Sequence, residues 1–250
     1  MTLLDRIMEN VLQLKCQNNI REIYLFGSVA RGDQDEQSDV DILIVIDNCS
    51  EDDYIRYKKN YASILQIPIS WISLYREKKI LKMYEKGSYF LWHLKQEGEM
   101  LYSKENELNK LFATLPRYRG MRKDIEEYRQ ILDDVKEESY NEYLCIEYEL
   151  SVLASLVRNT CITLSYLNNR FDFSRNLVVE YCIDKYKIDI SLEEYKILYQ
   201  YRSYETGKIS EVAKGKIDDI NKWAKVEKQL LDIAEKEVDD YEKKFNSRVE

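Results

Sequence analysis

Two short runs of β-branched and other apolar residues, Ile20–Phe26 and Val40–Ile46, lie close together near the start of the chain. Each has the length and composition of a β-strand, and the second is apolar at nearly every position, as in a strand covered on both faces. A Gly27-Ser28 turn interrupts the sequence directly after the first run. These features predict two β-strands in the first part of the molecule.

Segments around these runs predict how the sheet is completed. Ser50 and Asp53 form a capping pair at the start of a helix that follows the second strand. We predict a third strand over Ile67–Leu74, two short helices within 76–96, and a short strand at Met100–Ser103.

The sequence pattern changes at Pro116. After it, apolar and aromatic residues recur at spacings of three and four through two long segments, Tyr118–Val135 and Ile146–Leu164. This spacing is typical of amphipathic helices. Ser191 and Glu194 have the spacing of a capping box and predict a further helix.

Composition agrees with a largely helical protein. Charged residues make up 34% of the 250 residues, and the chain has only 7 Gly and 2 Pro, a balance that favours long helices over an all-β sandwich. The predicted fold class is α+β. A small mixed β-sheet domain with flanking helices occupies residues 1–115, and an all-α helical bundle follows over residues 116–250.

Charge and cysteine content exclude several classes of protein. The 46 acidic residues outnumber the 38 basic ones, and the net charge is -8, so no extended nucleic-acid-binding surface is indicated. The five cysteines are scattered without a C-x-x-C pair, which argues against a disulfide framework or a zinc site. Apolar runs stay well short of the roughly 18 residues of a membrane span, and the first residues lack a secretory signal pattern. We expect a cytoplasmic protein without a membrane partner. The sequence leaves open whether the chain forms homo-oligomers.

The residues between the first two strands carry the candidate chemistry. Ser28 is followed, after ten further residues, by Asp39 and then Asp41. Side chains two apart in a strand project from one face, so the two carboxylates stand together at the sheet edge, where Mg²⁺ can bind carboxylates and substrate phosphates. Gly27 leaves room for a phosphate, Ser28 offers donors, and Arg31 offers a charge-assisted contact to a triphosphate.

This order of a strand, Gly-Ser, ten residues and Asp-x-Asp in an apolar strand resembles the polymerase-β-like nucleotidyltransferase superfamily. The similarity is greatest to its minimal nucleotidyltransferases and antibiotic nucleotidyltransferases, and it covers residues 20–103, the segment Phe90–Tyr102 included. It implies that Gly27 and Ser28 hold the β- and γ-phosphates of a nucleoside triphosphate. It also implies that the two aspartates are catalytic and bind Mg²⁺ or Mn²⁺.

One feature departs from the superfamily pattern, which often has a third carboxylate on the next core strand. Ser70 occupies the expected position here. Either a carboxylate from outside the core, such as Glu147 or Glu149, serves as the base, or the enzyme is slow or inactive. His93, the single histidine, is interpreted as a packing or helix-surface residue.

The helical half also has a partial resemblance. Minimal nucleotidyltransferases often accompany helical HEPN ribonucleases, whose signature is Arg-polar-x4-His. Arg158-Asn159 resembles the first half of that signature, but no histidine follows it. We therefore expect a HEPN-like or substrate-binding domain without ribonuclease chemistry, in which Arg158 makes an ion pair or a hydrogen bond.

The residues and the resemblance together predict an Mg²⁺-dependent enzyme. It would move a nucleoside monophosphate from a nucleoside triphosphate, by preference ATP, to an acceptor hydroxyl and release pyrophosphate. The favoured acceptor is a protein side chain or a nucleotide, in a toxin-antitoxin or phage-defence module. The alternatives are a catalytically silent nucleotide-binding or antitoxin-like module and an aminoglycoside-type antibiotic nucleotidyltransferase.

Overall fold

The computed structural model describes residues 3–35 and 38–246. It divides into two compact units, Met1–Tyr118 and Arg119–Glu250.

The first unit is built on a four-stranded mixed sheet with the strand order β3-β2-β1-β4. β1 is antiparallel to both β2 and β4, and β2 is parallel to β3. The predicted first, second and fourth strands are confirmed to within one residue at each end. The strands are β1 (Ile20–Phe26), β2 (Asp41–Ile46), β3 (Ile72–Arg76) and β4 (Glu99–Ser103).

Six helices in the described part of this unit surround the sheet. The predicted cap is confirmed, because the Asp53 N–H donates to Ser50 Oγ at 3.1 Å. The short second helix begins at Gly27 and is followed by Gly32, and both glycines have positive φ angles, +75° and +76°. The helices are α1 (Leu3–Leu14), α2 (Gly27–Arg31), α3 (Glu51–Leu65), α4 (Glu77–Glu85), α5 (Tyr89–Glu97) and α6 (Glu107–Ala113).

The two faces of the sheet have different coverings. One face buries aliphatic side chains of the strands against residues of α1 and α3, such as Ile7 and Leu65. On the opposite face, Tyr75 packs edge-on against Phe90 of α5, and Tyr24 packs against Phe112 of α6. Because side chains alternate along each strand, this second face, here called the α5 face, carries Tyr24, Phe26, Asp41, Leu43, Ser73 and Tyr75.

The prediction of a strand over Ile67–Leu74 is wrong at its start. Residues Ile69–Trp71 form a 3-10 turn instead, in which the Trp71 N–H donates to Pro68 O at 3.1 Å, and β3 begins only at Ile72. Pro68 has no N–H with which to join a strand ladder. The apolar composition of residues 67–71 therefore led to a predicted strand that begins too early.

The second unit consists of five helices in its described part, with α8 at the centre of the packing. α8 contacts α7, α9, α10 and α11. The predicted capping box is confirmed, since Ser191 and Glu194 each accept a hydrogen bond from the other's backbone N–H. The helices are α7 (Met121–Glu138), α8 (Ile146–Leu167), α9 (Leu177–Tyr186), α10 (Leu192–Glu205) and α11 (Ile217–Asn246).

Among the residues that the structure describes, α8 alone is long and apolar enough to cross a bilayer. Within the structure, 72% of its apolar window is buried. Burial of this extent is what the core helix of a bundle shows, so the helix is weak evidence for a membrane span.

Candidate functional site

Gly27 and Asp41 lie side by side where β1 ends and β2 begins. Phe26, the last residue of β1, is the register partner of Asp41. A Cβ atom placed on Gly27 would lie 2.3 Å from Asp41 Oδ2, and the φ angle of Gly27 is +75°. The Asp41 carboxylate therefore rests against the backbone of Gly27, and only glycine fits here without displacing the acid.

The other two motif residues flank this contact. Ser28 follows Gly27 in α2 and is half-buried, as is Asp39. Val40, between the two aspartates, is buried in the apolar core under α1 and α3. Asp41, the first residue of β2, lies on the face opposite the buried Ile42, as alternation requires, and Asp39 lies just before the strand.

The donor chemistry of this edge suits a hard divalent cation. Asp39 and Asp41 offer carboxylate oxygens, which Mg²⁺ binds together with water and substrate phosphates. Within residues 3–35 and 38–246, no three His, Cys, Asp or Glu side chains form a group that would hold a metal ion. A cation bound here would take its other ligands from phosphate and water.

Arg31, at the end of α2, pairs with carboxylates of the protein. Its Nε lies 3.2 Å from both carboxylate oxygens of Asp33, and its Nη1 pairs with Glu97 Oε2 of α5. His93 Nε2 contacts the other oxygen of Glu97, and the His93 ring packs edge-on against Phe26 with 5.5 Å between ring centroids. The role of Arg31 as a triphosphate ligand stays a prediction. No local sequence signal marks Glu97 as part of this cluster.

Of the two β3 residues on the same face as Asp41, Ser73 and Tyr75, Ser73 is the nearer in register, and the placement of Ser70 in the strand is wrong. Ser73 is the register partner of Leu43, which lies two residues after Asp41 on the α5 face. Ser73 is half-buried, whereas Ser70 is exposed on the 3-10 turn. The alternation of buried Ile72 and Leu74 with Ser73 was the sequence signal for this assignment.

Three residues of the second unit that the sequence singled out are engaged within that unit. Glu147 Oε1 accepts the Gly215 N–H at 3.1 Å. Glu149 is buried, and burial raises the pKa of its carboxyl. Arg158 Nη2 donates to Phe173 O at 2.6 Å, which confirms the hydrogen-bonding interpretation of this arginine.

Comparison with known proteins finds similarity within the first unit. The family model described as "Polymerase beta, Nucleotidyltransferase" matches residues 9–107. A protein of Methanocaldococcus jannaschii that is named a protein adenylyltransferase is 58% identical over 38 residues, a match covering 15% of this chain and 38% of that relative. The chain thus spans well under half the length of this curated relative.

Solved structures add a likeness in fold. The spectinomycin adenyltransferase AAD(9) from Enterococcus faecialis, solved with ATP and spectinomycin, has a TM-score of 0.50 at 16% identity, over 92% of this chain and 98% of that one. A toxin-antitoxin structure with AMP-PNP has a TM-score of 0.32 at 21% identity, over 52% of this chain and 98% of that one. The chain is thus similar in fold to AAD(9), and its residues 9–107 match the nucleotidyltransferase family model.

Proposed function

We propose that the chain is an Mg²⁺-dependent nucleotidyltransferase that moves a nucleoside monophosphate from a triphosphate, by preference ATP, to an acceptor hydroxyl. The observation that best supports this is the contact between the Gly27 backbone and the Asp41 carboxylate, where an added Cβ would lie 2.3 Å from Oδ2. It joins the candidate phosphate-binding turn to a candidate metal ligand within a nucleotidyltransferase domain.

In this proposal each motif residue has one task. Gly27 lets the β- and γ-phosphates approach the backbone, and Ser28 donates to them. Asp39 and Asp41 would hold the metal ion, which would supply positive charge next to the phosphate oxygens. The acceptor oxygen bonds to the α-phosphorus, the bond to the pyrophosphate oxygen breaks, and the acceptor proton passes to solvent or a base. The protein contributes positioning and electrostatics.

The acceptor we propose first is a protein side chain or a nucleotide, within a toxin-antitoxin or phage-defence module. The name of the M. jannaschii relative supports a protein acceptor and ATP. The spectinomycin bound in the AAD(9) structure makes an aminoglycoside-type antibiotic the alternative acceptor. The five cysteines are free thiols, in keeping with the proposed cytoplasmic location.

A second candidate is a catalytically silent nucleotide-binding module. It is favoured by the α5 face of β3, which carries Ser73 and Tyr75 rather than an acid. Two-metal transfer commonly needs a further acid near the acceptor, so loss of that group fits binding without turnover.

One set of incubations separates the candidates. The purified chain with Mg²⁺ and each α-labelled nucleoside triphosphate is mixed with cell lysate, with nucleotides, or with spectinomycin, and pyrophosphate release and labelled products are measured. Label transfer with pyrophosphate release supports the enzyme and identifies its acceptor class. Binding without release supports the silent module, and a chain that neither binds nor turns over any triphosphate contradicts both.

A further inference from the structure

Helix α5 contacts both ends of the Gly27-Ser28 turn. Before the turn, the Phe26 ring lies edge-on against Phe90 and His93, with ring centroids 5.6 and 5.5 Å away. After the turn, Arg31 pairs with Glu97. One helix therefore fixes the residues that precede and follow the candidate phosphate-binding backbone.

The short helix α2 is oriented by contacts with its neighbours: Val29 and Ala30 pack against the apolar core, and Arg31 reaches α5. This helix has five residues, and Gly27 and Gly32 at its two ends both have positive φ angles. Glycines of this kind permit backbone conformations that other residues resist, and a helix this short has few internal hydrogen bonds. Side-chain contacts to a neighbouring element must therefore supply much of the restraint.

Of the two ion pairs that Arg31 makes with described residues, the one with Glu97 is the less exposed. The side chain of Glu97 is 8% exposed, compared with 42% for Asp33. An exposed ion pair contributes little, whereas a carboxylate withdrawn from water needs its partners and leaves an uncompensated charge when one is removed. Arg31 pairs with one oxygen of Glu97, and His93 Nε2 lies against the other oxygen without forming a hydrogen bond to it.

We infer that Glu97 and His93 are positioning residues of the nucleotide site. Through Arg31 and Phe26 they hold α2, and with it the Gly27-Ser28 turn, in the orientation that receives the triphosphate. This inference rests on the proposed function, because it assigns the turn to phosphate binding. It predicts that α5 contributes to nucleotide affinity without touching the nucleotide.

The opposite role for Glu97 predicts the opposite result. If Glu97 instead competed with phosphate for Arg31, removing its charge would release the guanidinium and tighten nucleotide binding. The direction of the affinity change in Glu97→Gln therefore decides between positioning and competition.

The test measures binding of Mg²⁺ and α,β-methylene-ATP to the full chain by calorimetry, with thermal melts of every variant. Glu97→Gln should weaken binding about 10-fold, the scale of losing a charge-assisted hydrogen bond, and His93→Gln about 3-fold. Glu97→Asp should recover part of the loss. Glu85→Gln, which neutralises an exposed carboxylate at the end of α4, is the matched control and should bind like the parent.

A charge exchange shows whether the ion pair itself is responsible. Arg31→Glu combined with Glu97→Arg should bind more tightly than either single variant, because the pair is restored with its ends reversed. The inference is overturned if the double variant binds nucleotide no more tightly than the weaker of the two single variants. It is also overturned if Glu97→Gln binds nucleotide as tightly as the parent or more tightly. A parent chain that binds no nucleotide overturns the proposed function and this inference with it.

Discussion

The two units place polar side chains in opposite settings. In the first, Ser28, Asp39 and Asp41 are half-buried at the ends of strands, where a ligand can reach them. In the second, Glu227 of α11 is fully buried and accepts a hydrogen bond from Thr160 Oγ1 of α8 at 2.6 Å. Its other oxygen has no hydrogen-bond partner among the described residues.

This difference separates two uses of a carboxyl group. At the sheet edge, two neighbouring carboxylates repel each other until a cation binds, so their replacement should change activity more than stability. In the bundle, burial raises the pKa of Glu227 to about 8. The Glu227 carboxyl is therefore protonated in the folded protein at neutral pH. Replacing Glu227 should change stability more than activity.

The largest expected effect is at the sheet edge. Asp41→Asn, and separately Asp39→Asn, should lower the transfer rate about 10³-fold or more, because metal binding supplies several kcal/mol of charge stabilisation. The melting temperature should stay the same or rise slightly as repulsion is relieved. Pyrophosphate-release assays and thermal melts measure the two quantities. Full activity in either variant would remove the basis for the proposed site.

A pair of glycines tests the contact that joins the two motifs. Gly27→Ala would bring a methyl group against Asp41 Oδ2, whereas a Cβ on Gly32 meets no atom of the described residues within 4 Å. Both positions have positive φ, so both variants incur a backbone strain of about 1 kcal/mol. Only Gly27→Ala should also weaken nucleotide binding, about 10²-fold, and Gly27→Val should be more severe. Equal affinities of the two alanine variants in calorimetry would show that the contact is irrelevant.

The pH dependence of stability tests the bundle. The unfolded chain loses the Glu227 proton near the ordinary pKa of 4.5, but the folded chain keeps it to about pH 8. The folded state binds more protons between these values, so this contribution to the free energy of unfolding is present at low pH and is lost as the pH rises, by up to about 1.4 kcal/mol per pH unit.

Glu227→Gln removes that titration. The melting temperature of this variant should fall less steeply than that of the parent between pH 5 and pH 8, because only the parent loses up to about 1.4 kcal/mol of unfolding free energy per pH unit from this group. Nucleotide binding should stay unchanged. Glu211→Gln, at an exposed position before α11, is the control and should keep the parent's slope. Parallel melting curves for Glu227→Gln and the parent would show that the buried carboxyl has no such role.

The smallest expected effect concerns the acid absent from β3. Ser73→Asp adds a carboxylate to the α5 face beside Asp41, so it should tighten Mg²⁺ binding about 3-fold and lower stability by about 1 kcal/mol in the metal-free chain. Ser70→Asp, on the exposed turn, should do neither. Magnesium titrations and melts of both variants provide the comparison. A larger gain in Mg²⁺ affinity for Ser70→Asp would show that the position of the third carboxylate lies on the 3-10 turn and not in β3.

Elements with local signals could be predicted from the sequence. The capping residues Ser50 and Ser191 bond to groups three residues away, and β1 is marked by its own composition. The contact of Gly27 with Asp41 follows from the antiparallel register of β1 and β2, so the two motifs could be expected to meet.

Long-range pairings could not be predicted in this way. Glu97 is 66 residues from Arg31, and Glu227 is 67 residues from Thr160. Each acid lies in an amphipathic helix whose pattern does not distinguish a buried carboxyl from a solvated one. Their roles depend on which helix packs beside which, and that is a property of the assembled core.

Pro68 has a further consequence for the outer edge of the sheet. β3 is an edge strand of five residues, and the 3-10 turn that follows Pro68 stops it from extending toward Ile67. The unpaired backbone groups of an edge strand are a template on which strands of other molecules can add, and short or charged edges limit this aggregation. The opposite edge, β4, begins with the exposed, charged Glu99. The proline that shortens the predicted strand thus also protects the sheet against intermolecular strand pairing.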